Sequence, residues 1–78
     1  MPRFLFQLHT NQAARAPRVL DLPDPECAVR TAKFVAREFA AEGVASGVLD
    51  LSQMLQVLDE GGKLLTAFPL TRAVEVRA

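Results

Sequence analysis

Few side chains in this sequence could do chemistry. His9 is the only histidine. As a general base it needs an orienting partner, and as a metal ligand it needs companions. Asp21 or Asp24 are the carboxylates that could approach it; otherwise it is a surface residue at a strand end. Cys27 is the only cysteine and falls in the first turn of an expected helix. A helix N-terminus can activate a thiol, but a free cysteine is more often a small buried hydrophobe. Asp59 and Glu60 are adjacent carboxylates, a pairing that does acid–base work when one is buried. Here the turn alone explains them, because Asp favours turns and Glu can stay solvated. Gly61-Gly62 is too short for a phosphate loop, which also needs a following helix. Phe4, Phe6 and Phe68 could stack bases on a sheet, as in single-strand RNA binders. Those modules pair aromatics with a basic surface, so Phe4 and Phe6 read as core. No residue is assigned a catalytic, cofactor-binding or metal-binding role, and no cofactor is expected.

The elements that must position these residues are legible from periodicity. Arg3 to His9 alternates, with Phe4, Phe6 and Leu8 on one parity and Leu5, Gln7 and His9 on the other, the pattern of a half-buried strand. Thr10-Asn11-Gln12 opens a polar loop. Arg18 to Leu22 reads as a short second strand, and Pro17 and Pro23 on either side suggest an edge position. Asp24-Pro25-Glu26 is a helix start: Asp caps, Pro at the first helical position loses no needed N–H, and Glu complements the dipole. The helix is predicted from Pro25 to Glu42, with Gly43 just past its end. Its apolar stripe is Ala28, Thr31, Ala32, Val35 and Phe39, flanked by Cys27 and Phe34, while Glu26, Arg30, Lys33 and Arg37 face outward. Gln53–Asp59 and Lys63–Phe68 are two further strands. Asp59-Glu60-Gly61-Gly62 between them forms a hairpin turn whose glycines can take positive φ. Leu70–Val76 is either a helical turn or an extended segment.

The 78 residues form one domain over 1–78, half of them hydrophobic, without a disulfide or a metal staple. The predicted fold is α+β: a small β-β-α-β-β domain, one long helix packed on one face of a mainly antiparallel sheet. Nine basic residues balance nine acidic ones, and the basic ones form no run. That removes the usual electrostatic drive towards nucleic acid and lowers one barrier to self-association. No apolar run matches a signal peptide or a membrane span, so the expected compartment is the cytoplasm, where a lone thiol stays reduced.

A single helix covers a single face. With Phe4, Phe6, Leu8, Leu55, Val57, Leu65 and Ala67 set against it, the other parity carries Leu5, Gln7, His9, Met54, Gln56, Leu58, Leu64, Thr66 and Phe68. About half of these are apolar, more than a solvated face needs. Either Leu70, Val74 and Val76 fold back over that face, or it is a contact surface. Its candidate residues are Leu5, Met54, Leu58, Leu64 and Phe68.

The chain resembles a family of small bacterial proteins without an assigned role. Its members begin Met-Pro-Arg-Tyr/Phe-Phe-Phe, lead through Leu-Pro-Asp into an alanine-rich helix, and carry a Val-x-Asp-Glu-x-Gly hairpin. The matching residues are Met1-Pro2-Arg3-Phe4-Leu5-Phe6, Leu22-Pro23-Asp24, Ala28, and Val57-Leu58-Asp59-Glu60-Gly61-Gly62, with Phe68-Pro69-Leu70 and Ala73 closing. Asn11-Gln12-Ala13-Ala14-Arg15 stands where the family has an Asp-rich segment. The resemblance covers nearly the whole chain and implies a fold but no chemistry.

The function expected from these readings is a non-enzymatic protein-interaction module, a homo-oligomer or the partner of another protein, joined through a sheet face or edge. One alternative is a DNA-associated regulator whose dimer gathers the scattered arginines. Another is a small enzyme, which requires a pocket holding His9 beside a carboxylate.

Overall fold

The computed structural model describes residues 1–9, 16–75 and 77. The polar loop expected at Thr10–Gln12 and the residue Val76 lie outside the described residues. Six elements follow in order: β1 (Arg3–His9), β2 (Arg18–Asp21), α1 (Pro25–Ala45), β3 (Met54–Leu58), β4 (Leu64–Pro69) and α2 (Leu70–Ala73). The strands form one sheet in the order β2-β1-β3-β4, with every pairing antiparallel. This is the expected α+β arrangement, with a one-turn helix added at the end.

The start of α1 follows its sequence signals. Asp24 is extended, and its side chain accepts the Cys27 N–H at 2.7 Å, ahead of Pro25. Such a cap is worth about 1 kcal/mol. Ala28, Ala32, Val35, Ala36, Phe39, Ala40 and Gly43 are buried. The row of alanines lets the helix lie close to the sheet. The helix does not stop at Gly43; it runs three residues beyond the expected end at Glu42, to Ala45. Gly43 continues the buried stripe one turn past Phe39, and the break falls at Ser46-Gly47. Gly47 takes φ +96, its N–H reaches the Val44 carbonyl at 3.0 Å, and the Val48 N–H reaches the Gly43 carbonyl at 2.8 Å. This is a Schellman closure, which needs the left-handed residue that glycine supplies. Just downstream, the Ser52 hydroxyl and N–H both bond Asp50 and hold its carboxyl below the usual carboxylate range.

The β3–β4 hairpin closes at Asp59–Gly62, as its residues predict. Gly62 adopts φ +84, and the Asp59 N–H reaches the Lys63 carbonyl at 3.0 Å. The Asp59 side chain accepts the Lys63 N–H at 2.9 Å.

Phe4, Phe6, Leu8, Leu55 and Val57 form the sheet side of the core, as their parity predicts. The parity of β4 is corrected. A register irregularity at Val57/Leu58 sets Leu64 opposite Leu58 but Thr66 opposite Val57, which makes Leu65 an extra residue. A bulge of this kind reverses the facing of everything after it. Leu65 still packs on the core. Beyond it Ala67 turns to solvent, while Phe68, opposite Leu55, packs against the core under α1.

Residues 70–74 also join the helix side. Leu70 and Ala73 are buried in the core cluster and Val74 packs against it. Arg37 Nε donates to the Ala73 carbonyl at 2.7 Å, tying α2 to α1. At the opposite flank, Arg18 of β2 lies with its guanidinium 4.6 Å from the Phe39 ring centroid and donates to Glu38 and Glu42. Both sheet margins are thus fastened to one helix.

Candidate interaction surface

Because α1 and α2 share one side of the sheet, its other face has no cover among the described residues. The antiparallel register brings its residues together in rows. Val19, Leu5, Leu58 and Leu64 form one apolar row across all four strands. One step along lie Gln7, Gln56 and Ala67, and beyond them His9, Met54 and Pro69. Val19 is 56% exposed and Leu64 50%; Leu5 and Leu58, on the central strands, are half-buried by their neighbours. Four of the five candidate residues, Leu5, Met54, Leu58 and Leu64, share this face. The fifth, Phe68, lies on the other, where its ring sits 5.7 Å from the Arg72 guanidinium.

The middle of the face is polar but uncharged. Gln7 Nε2 donates to Gln56 Oε1 at 2.9 Å across the β1–β3 pair. One rim is ionic: Arg3 Nε lies 3.4 Å from Asp21 Oδ1, and the Arg3 backbone N–H donates to Glu60 at 2.7 Å. Two shallow hollows of about 290 and about 230 Å³ at this end share Arg3, Phe4, Asp59 and Glu60.

The chemically suggestive residues are not brought together. His9 is exposed at the far end of β1 and lines neither hollow. Asp21 stands opposite Arg3, six positions along β1, a separation of roughly 20 Å at strand rise. Asp24 is occupied in capping the helix. Cys27 is half-buried in the first helical turn. Asp59 closes the turn and Glu60 holds the N-terminal strand. Among the described residues, no group of three or more His, Cys, Asp or Glu could hold a metal. Phe4 and Phe6 point into the core, so the open face presents no aromatic ring for a base to stack on.

Sequence reading missed Val19 as a member of this face. Its signal was the alternation Arg18-Val19-Leu20-Asp21, too short to orient alone. A separate apolar cluster, Val44, Val48 and Leu49, is exposed where α1 ends. Among the described residues no helix is long and apolar enough to cross a membrane.

Nothing among curated proteins or solved structures matches the chain. A family model does: residues 3–71 fit the one described as Domain of unknown function (DUF6894). The resemblance carried by the Leu22-Pro23-Asp24 helix start and the Asp59–Gly62 hairpin is borne out, and the chain belongs to that family.

Proposed function

We propose that this chain is a non-enzymatic interaction module that associates with a second copy of itself through the open face of its sheet. The family is one of unknown function, and support for this reading comes from the surface of the fold. The observation that carries it is the apolar row Val19, Leu5, Leu58 and Leu64, uncovered among the described residues while both helices pack on the opposite side. Contiguous apolar surface of this kind marks a contact site on a small protein. A second copy fits better than an acidic or basic partner, because the chain has formal net charge +0 and the centre of the face carries none. Several arginines that a nucleic-acid reading would need are engaged within the fold: Arg18 with Glu38 and Glu42, Arg3 with Asp21, Arg30 with Glu26, and Arg37 with the Ala73 carbonyl.

Sedimentation velocity over a concentration series from about 5 to about 500 µM, a range suited to a small interface, tests this. The expected result is a weight-average mass rising from 8.5 kDa towards twice that value. A constant monomer mass across the series removes the proposal.

A further inference from the structure

At the centre of the open face is a polar feature that apolar contact alone does not require, the Gln7–Gln56 pair. We infer that this pair is a self-complementary key that fixes the symmetry and register of the dimer, an inference that rests on the self-association proposed above. The chemistry is asymmetric within each copy. Gln7 uses its amide NH2 on the Gln56 oxygen. That leaves an acceptor on Gln7 and a donor on Gln56 as the groups available towards the open side.

A two-fold axis lying between β1 and β3, parallel to them, exchanges those two strands. It sets the partner's Gln7 over Gln56 and the partner's Gln56 over Gln7, so each free NH2 meets a free carbonyl oxygen. The same operation places Leu5 over the partner's Leu58 and carries β2 over the partner's β4, bringing Val19 above the partner's Leu64. Arg3 then approaches the partner's Glu60 at the rim, an opposite-charge contact on each side of the axis. The product is a sandwich of two four-stranded sheets, packed about 10 Å apart with their strands roughly aligned.

A slip by one strand or one residue pair breaks this match. It sets an amide against leucine and leaves buried polar groups unpaired, which costs more than the pairing itself contributes. A lone polar contact in an apolar interface is the established way to fix register at some cost in affinity. The size of the face agrees with a reversible dimer. Four strands about 4.8 Å apart and five residues of about 3.4 Å rise span roughly 19 by 17 Å, about 300 Å² per copy, well below a standard interface and in keeping only with a weak, transient contact.

The test uses the full chain with a nitroxide on exposed Lys33 (K33C in a C27S background) and reads the distance between copies by double electron–electron resonance. The unaltered face should give one narrow distance. Q7L/Q56L should still associate, at least as tightly, but with a distance distribution that broadens or splits as registers compete. Should that variant fold poorly, Q7N/Q56N withdraws the same groups by one methylene each and should broaden the distribution in the same way. A distance as narrow and unshifted as that of the unaltered face, in whichever variant folds, overturns the key while leaving the dimer standing. A mass that stays at the monomer value in sedimentation, together with no dipolar coupling from the unaltered face, overturns the dimer and the key together.

Discussion

Phe6→Ala should bring the protein to the edge of unfolding, while Phe34→Ala should leave it nearly unchanged. The two residues are chemically identical and differ in where the fold puts them. Phe6 lies on a central strand between Arg18 of β2 and Val57 of β3, fully buried at 0% exposure. Truncating such a ring removes its transfer free energy and leaves a cavity, about 3–5 kcal/mol. At about 0.05–0.15 kcal/mol per residue, a chain of 78 residues has a total stability of roughly 4–12 kcal/mol. The substitution therefore takes a large part of it. Phe34 is 59% exposed on the outer side of α1, with the Arg37 guanidinium 5.9 Å from its ring centroid. Its loss should stay within about 0.5 kcal/mol, as for most surface changes. Urea midpoints by circular dichroism separate the two. Equal, small shifts would mean that the core is not centred on Phe6.

The second large effect concerns association and should leave folding intact. Val19→Lys and Leu64→Glu each place a charge on an exposed position of an edge strand, where the monomer tolerates it. In the two-fold arrangement each charge meets an apolar row of the partner and must be desolvated without compensation. Each single variant should raise the dimer dissociation constant by about tenfold or more. In V19K/L64E the introduced lysine faces the partner's introduced glutamate, and much of the lost affinity should return. Sedimentation reads all three. Losses that merely add in the double variant would place Val19 and Leu64 at unrelated points of the interface.

How far the fold was legible depended on whether a local rule acted alone. The start of α1 was plain because Asp24 and Pro25 act on the backbone within one turn, whatever packs around them. The Asp59–Gly62 hairpin was plain for the same reason. The facing of β1 was readable because alternation ran unbroken through three buried residues, Phe4, Phe6 and Leu8. The facing of the end of β4 was not, because an inserted residue leaves no mark in composition. Leu64-Leu65-Thr66-Ala67-Phe68 fits either parity until the bulge is located. The end of α1 was misjudged because two glycines competed. Gly43 is absorbed into the buried stripe and Gly47 makes the turn, a choice that depends on which side of the helix meets the sheet. Residues 70–73 are too few to display a period. Their place under α1 is set by contacts distant in sequence, the burial of Leu70 and Ala73 in the core and the Arg37 bond to the Ala73 carbonyl across 36 positions.

The candidate surface was legible to the same extent. Leu5, Met54, Leu58 and Leu64 followed from unbroken parity on β1 and β3 and from the turn that starts β4. Phe68 was assigned to it by the parity that the bulge reverses. Val19 was missed because four residues of β2 cannot orient themselves; its pairing with Leu5 does. The Gln7–Gln56 contact needs the β1–β3 register, which no single strand contains.

In the proposed dimer, each copy presents to the other the face of the sheet opposite α1 and α2. Isotope-filtered NOE spectroscopy on an equal mixture of carbon-13-labelled and unlabelled chain tests this most directly, because it detects only contacts between copies. This arrangement predicts intermolecular contacts from the Val19 methyls to the Leu64 methyls and from Leu5 to Leu58. Intermolecular contacts that instead connect Phe34, Val44 or Val48 would contradict it, because the copies would then be meeting through α1.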